Sequence, residues 1–126
     1  MSPISTGSDA QASARRGALP RAAFALGLGV SVVVLFMPAS GVPTAPDGTD
    51  KVVHLLLFAA LALTGRWAGV ARAPLGLGLV AYAALSEVIQ GVAPLGRSAS
   101  LADGAADTAG IALGLLAWAW SARRSP

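Results

Sequence analysis

Residues 24–36 read Phe24-Ala25-Leu26-Gly27-Leu28-Gly29-Val30-Ser31-Val32-Val33-Val34-Leu35-Phe36, thirteen positions without a charge. Extended to Leu19–Met37 and closed by Pro38, the block approaches the roughly 20 apolar residues needed to cross hydrocarbon. Three further blocks follow at about 51–70, 74–92 and 101–120, separated by Pro/Gly-rich or Arg-bearing breaks. Across all 126 residues, 55% are hydrophobic and only 12% charged, and mean hydropathy is +0.67. Soluble domains carry about a quarter charged residues, and a chain this small would need more polar surface, not less. The blocks therefore predict an all-α membrane protein, a bundle of four transmembrane helices over residues 19–122. Residues 1–18, rich in Ser, Ala and Gly with no apolar period, are expected to be a disordered cytoplasmic tail.

The first block also has the layout of a signal peptide, with Arg15, Arg16 and Arg21 before it and Pro38-Ala39-Ser40 after it. Its apolar stretch is long for such a segment, which favours a retained helix. Pro38, Pro43, Pro46 and Asp47-Gly48 make the following loop non-helical, with Thr49 or Asp50 as N-cap of the second helix. Pro74 stands near the start of the third helix, where proline is tolerated. Ser100 is placed to cap the fourth, with Asp103 in its first turn.

Arginine and lysine set the orientation. Arg15, Arg16, Arg21, Arg66, Arg72, Arg123 and Arg124 fall on one side, whereas only Lys51 and Arg97 fall on the other. Both termini are thus expected on the cytoplasmic side of a multi-pass protein in the bacterial cytoplasmic membrane. Trp67, Trp118 and Trp120 sit where an interfacial belt belongs. The net charge of +3 and pI near 10.7 follow from these flanks and form no basic stripe, so no nucleic-acid partner is expected. The absence of cysteine excludes disulfides, thiolate metal sites and thiol nucleophiles.

Ionisable side chains inside membrane helices cost several kcal/mol each and usually face the bundle interior or a wet cavity. Here they are Asp50, Lys51 and His54 on the second helix, Glu87 on the third with Gln90 one turn on, and Asp103 and Asp107 on the fourth, with Arg97 in the loop before it. Spacings of three or four place each same-helix pair on one face. His54 lies roughly 6 Å past Asp50, Glu87 roughly 7 Å inside the outer end and Asp107 roughly 9 Å past Leu101, at 1.5 Å per residue. Three helices thus bring polar groups to one depth, in the outer half. Small-residue stripes, Ala106/Gly110/Gly114 on the fourth helix and Gly65/Gly69 on the second, permit the close approach this requires.

The run Asp50-Lys51-Val-Val-His54, then Glu87-Val-Ile-Gln90, then Arg97 with Asp103-x-x-x-Asp107-x-x-Gly110, resembles the VanZ-like family across residues 50–114. The resemblance implies a cell-envelope setting and an association with low-level teicoplanin resistance, an antibiotic-resistance trait, but no reaction. Asp107 stands where that family often has Asn. Three readings of the cluster remain open. One is an outward-facing site for a lipid-linked cell-wall precursor or glycopeptide, with Asp50, Lys51, Gln90, Arg97 and Asp107 as ligand-binding groups and membrane lipids as surroundings. Another is a polar lock in which the carboxylates accept hydrogen bonds from Lys51, Arg97, Gln90 and His54. The third is a hydrolase or transferase with His54 as general base, Glu87 orienting it and Asp103 as acid. His54 with several carboxylates could hold a divalent metal, but no tight motif enforces a ligand geometry, so no metal and no cofactor is expected.

Overall fold

The computed structural model describes residues 7–41, 45–93 and 100–124. They form four helices: α1 (Gly7–Phe36), α2 (Thr49–Trp67), α3 (Arg72–Val92) and α4 (Leu101–Arg124), with a 3₁₀ turn at Ala39–Gly41. Among the described residues there is no strand.

Two starts differ from expectation. α1 begins at Gly7, so residues 7–18 continue the helix instead of forming a disordered tail. Extending an existing helix adds one hydrogen bond per residue fixed and needs no new nucleus, and this stretch is built largely of Ala, Arg and Gln, good helix formers. Pro20 is carried inside the helix. At α2 the cap is Gly48, in the left-handed region at φ 86°, rather than Thr49 or Asp50, which are already helical. At α4 the expectation holds: the Asp103 amide donates to Ser100 Oγ at 3.2 Å and the Gly104 amide to the Ser100 carbonyl.

The end of α2 is sharper than the hydropathy implied. Val70 N–H bonds the Gly65 carbonyl and Gly69 N–H the Arg66 carbonyl, a Schellman closure with Gly69 at φ 92°. Gly69 therefore stops the helix and does not extend a packing stripe with Gly65. Gly65 itself lies against Leu75 and Phe24. Arg66 turns back to donate to the Val70 carbonyl at 2.7 Å, which gives the guanidinium a partner at the helix end.

Contacts along the helices fix their relative directions. Lys51 meets Asp103 and His54 meets Asp107, so α2 and α4 run parallel. Ser31 meets Tyr82 and Gln90 meets Leu35, so α1 and α3 run parallel as well. Gly65, near the end of α2, touches Leu75, near the start of α3, so the two pairs oppose each other. The closest packing joins α2 to α4. Gly110 faces the Leu55 backbone, and a Cβ on Gly114 would stand 2.6 Å from the Ala59 carbonyl oxygen and 2.7 Å from Ala62 Cβ. Only glycine permits that separation.

The core is apolar, and the surface departs from that of a water-soluble bundle. Leu35, Phe58, Leu61, Ala62, Leu75, Leu79, Ala83 and Ile111 form the core, and Ser31, His54, Ser86, Gln90 and Asp107 are buried with them. Meanwhile Leu26, Leu56, Leu77 and Leu116, one on each helix, are at least 60% exposed. Apolar surface spread around all four helices exceeds what a water-facing monomer normally shows. By length and composition, α1 and α3 are apolar enough to cross a membrane. α2 and α4 carry Asp50, Lys51, His54, Asp103 and Asp107 of the cluster, and α3 carries Glu87.

The packing yields a contrast between two glycines of α4. Gly110→Ala places a methyl into the α2 backbone and is expected to destabilise by about 1–3 kcal/mol, the usual cost of overpacking. Gly104→Ala meets nothing within 4 Å and is expected to be neutral or to stabilise by up to about 1 kcal/mol through helix propensity. Thermal unfolding of both variants in detergent checks the pair.

Candidate functional site

Four helix ends meet at one pole of the bundle: the starts of α2 and α4 and the finishes of α1 and α3. The side chains gathered there are those singled out from the sequence, but their pairings are more specific than their spacing.

His54 projects from the second turn of α2 into the contact with α4 that the glycines keep narrow. Its Nδ1 lies 2.7 Å from Asp107 Oδ1, with the two side chains 5% and 0% exposed. Asp107, rather than Glu87, is therefore the carboxylate that orients the imidazole. Asp103, one turn earlier, is held by Lys51 Nζ at 3.1 Å and does not touch His54 through any described hydrogen bond. Lys51 bridges to Asp50 as well, at 3.0 Å, and Asp50 stays exposed at the rim. The Asp50–Lys51–Asp103 chain thus forms a half-exposed lid of alternating charge, beneath which the His54–Asp107 pair is buried.

Glu87 reaches the same place from α3. Its Oε2 accepts the Ser100 amide at 2.8 Å, tying the end of α3 to the N-cap of α4. Donor-capable atoms of His54, Glu87 and Asp107 lie within 4.8 Å of one another. Two buried oxygens, Glu87 Oε1 and Asp107 Oδ2, have no hydrogen-bond partner among the described residues. Buried polar atoms in that state are uncommon and costly, by about 1–3 kcal/mol.

Gln90 has a different job from the one expected. Its Nε2 donates to the Leu35 carbonyl at 2.6 Å, near the last turn of α1, and both residues are buried. It joins α1 to α3 and leaves the carboxylates without its amide. Arg97 lies outside the described residues. Sequence reading missed a second polar link, Ser31 Oγ to Tyr82 Oη at 2.7 Å, with Tyr82 stacked at a tilt on Phe58, ring centroids 5.7 Å apart. The signal was present: a serine midway along a charge-free apolar helix needs a partner, and Tyr82 has the only phenol in the chain.

Beside Glu87 a groove of about 750 Å³ runs between α3 and α4, walled by Val80, Ala83, Ala84, Ala105, Ala109 and Ala112. Glu87 and Ser100 stand among its lining, so polar pole and apolar groove are continuous. The small alanine side chains create the room. Compared with known proteins, the chain matches no family model, no curated protein and no solved structure.

The two ion pairs should respond differently to truncation. A double-mutant cycle on His54→Ala and Asp107→Ala is expected to give a coupling of about 0.5–2 kcal/mol, because both groups are buried and in contact. The same cycle on Lys51→Ala and Asp50→Ala is expected to show no measurable coupling, because both are open to solvent. Chemical denaturation in mixed micelles reads both.

Proposed function

We propose that this chain is a VanZ-like four-pass protein of the bacterial cytoplasmic membrane that binds a lipid-linked envelope molecule at its outer face. The observation that carries the reading is the continuity between the polar pole and the α3–α4 groove. A ligand with a charged head and a long apolar chain matches that combination. Lys51 offers a cation to the head, and Arg97, which lies outside the described residues, would add a planar fork suited to a phosphate or carboxylate. The chain lies along the alanine-lined groove, where lipid tails already surround the bundle.

The apolar surface around all four helices and the arginine bias support four crossings with both termini inside. α2 and α4 cross in spite of their charges because those charges fall at the two ends or are buried against each other, as His54 and Asp107 are. The cluster then faces outward, the side on which lipid-linked wall precursors are polymerised and glycopeptides act. Sequestering or shielding such a precursor would lower glycopeptide susceptibility without any bond being broken.

One observation favours a second reading, an enzyme acting on the same ligand. A buried carboxylate 2.7 Å from His54 Nδ1 fixes the imidazole as a general base requires. Asp107 takes the orienting role in it and Glu87, at the groove, the acid role. The same contacts also lock helix register, so binding rather than stability separates these readings.

Two measurements test the proposal. With no native cysteine, Ala45→Cys should react with an impermeant thiol reagent from outside, and Ala71→Cys only after permeabilisation; the opposite pattern overturns the orientation. Purified protein in nanodiscs should be labelled by a photoreactive polyprenyl-phosphate probe, and Ala109→Phe, which fills the groove, should weaken labelling about tenfold, the cost of excluding roughly two methylene groups. No labelling of the wild-type chain rejects the lipid-linked ligand. Product analysis of the same incubation distinguishes binding from turnover.

A further inference from the structure

We propose that His54, Glu87 and Asp107 form a binding site for one divalent transition-metal ion, Zn²⁺ or Mn²⁺ in class. The inference concerns ion binding by the protein alone and does not require the lipid-linked ligand.

Geometry is the first support. The three donors come from three helices, and their ligand atoms lie within 4.8 Å of one another. An ion at their centre requires inward shifts of under about 1 Å to reach the 2.0–2.2 Å bonds Zn²⁺ makes with imidazole nitrogen and carboxylate oxygen. The His54–Asp107 contact of 2.7 Å is a hydrogen-bond distance, so the pair opens by a few tenths of an ångström as the shared proton leaves.

The state of the carboxylates is the second and independent support. Asp107 is wholly buried, yet only Oδ1 has a partner; Glu87 gives only Oε2 to the Ser100 amide. The remaining two oxygens, Asp107 Oδ2 and Glu87 Oε1, are buried with no donor among the described residues. Among the described residues, Lys51 is engaged by Asp50 and Asp103, and Gln90 by the Leu35 carbonyl. Two buried carboxylate oxygens with no partner among the described residues, beside one imidazole, favour a cation there.

The donor set decides the ion. One imidazole and two carboxylates, with no thiolate in the chain, suit Zn²⁺ or Mn²⁺, whereas Ca²⁺ takes six or more oxygens and Mg²⁺ keeps most of its waters. Three protein ligands leave at least one position for water or for an oxygen of an incoming phosphate. Glu87 borders the groove, which supplies an entry path. The Ser100 amide and the Lys51–Asp103 pair outside it hold the ligands' helices in register.

His54 is the only histidine, which permits a test without substitution. The full chain, purified in detergent with a histidine-free tag, is loaded with Zn²⁺, Mn²⁺ or Co²⁺ and passed through a desalting column. The expected result is one Zn²⁺ or Mn²⁺ retained per chain, and with Co²⁺ a visible absorption band plus an imidazole proton resonance shifted far outside its diamagnetic range, both abolished by excess Zn²⁺. Glu87→Gln and Asp107→Asn should each weaken retention at least tenfold with helicity unchanged. If the wild-type chain retains no ion at tens of micromolar metal, or binds Co²⁺ without shifting the His54 resonance, the site does not exist. The wild-type resonance decides the matter even if a variant fails to fold. Because no lipid probe is present, failure here leaves the lipid-linked ligand standing, and failure there leaves the metal standing.

Discussion

Everything at the polar pole depends on how closely α2 and α4 approach. Gly110 and Gly114 bring the α4 backbone against Leu55 and Ala59, and one turn above that contact His54 and Asp107 meet at 2.7 Å. Had either glycine carried a side chain, the helices would part by an ångström or more and the imidazole would lose its carboxylate. In hydrocarbon no hydrophobic force drives helices together, so close van der Waals packing and interhelical hydrogen bonds must do so. Here both arise from the same four-residue spacing on α4: Ala106, Gly110 and Gly114 along one edge, Asp103 and Asp107 along the next.

Two polar links join α1 and α3 to each other, and a third joins α3 to this pair. Gln90 joins α3 to the Leu35 carbonyl of α1, Ser31 joins α1 to Tyr82 of α3, and Glu87 joins α3 to the cap of α4. Each uses a donor or acceptor that would otherwise be unsatisfied in an apolar interior. α2 and α4 hold most of the cluster's ionisable groups and α3 adds Glu87, while α1 and α3 are the helices apolar enough to span a membrane. Lys51 and Asp103 cover the buried pair at the pole, and the alanine-walled groove runs from it between α3 and α4.

Much of the fold was legible in the residues. Helix number and approximate limits came from block length, the Ser100 cap from a serine before an acidic first turn, and the parallel α4 glycine edge from four-residue spacing. The start of α1 at Gly7 was not, because composition alone ranks a Ser/Ala/Gly stretch as too polar to bury, and a helix already nucleated downstream can extend through it. Nor was the role of Gly69: in a string of letters, a helix-packing glycine and a left-handed terminating glycine look alike.

The sequence by itself determined that the chain is apolar outside and ionisable at one depth, since hydropathy, charge placement and 1.5 Å per residue need no partner to compute. It also determined which side chains had to find each other, because buried charges demand company. Only the tertiary structure decided who pairs with whom. It gave His54 to Asp107, Lys51 to Asp103 and Gln90 to a backbone carbonyl, and it left Glu87 Oε1 and Asp107 Oδ2 buried without a partner among the described residues. Rotation of each helix about its axis sets those choices, and that rotation is fixed by side-chain packing between helices, which no single helix's sequence contains.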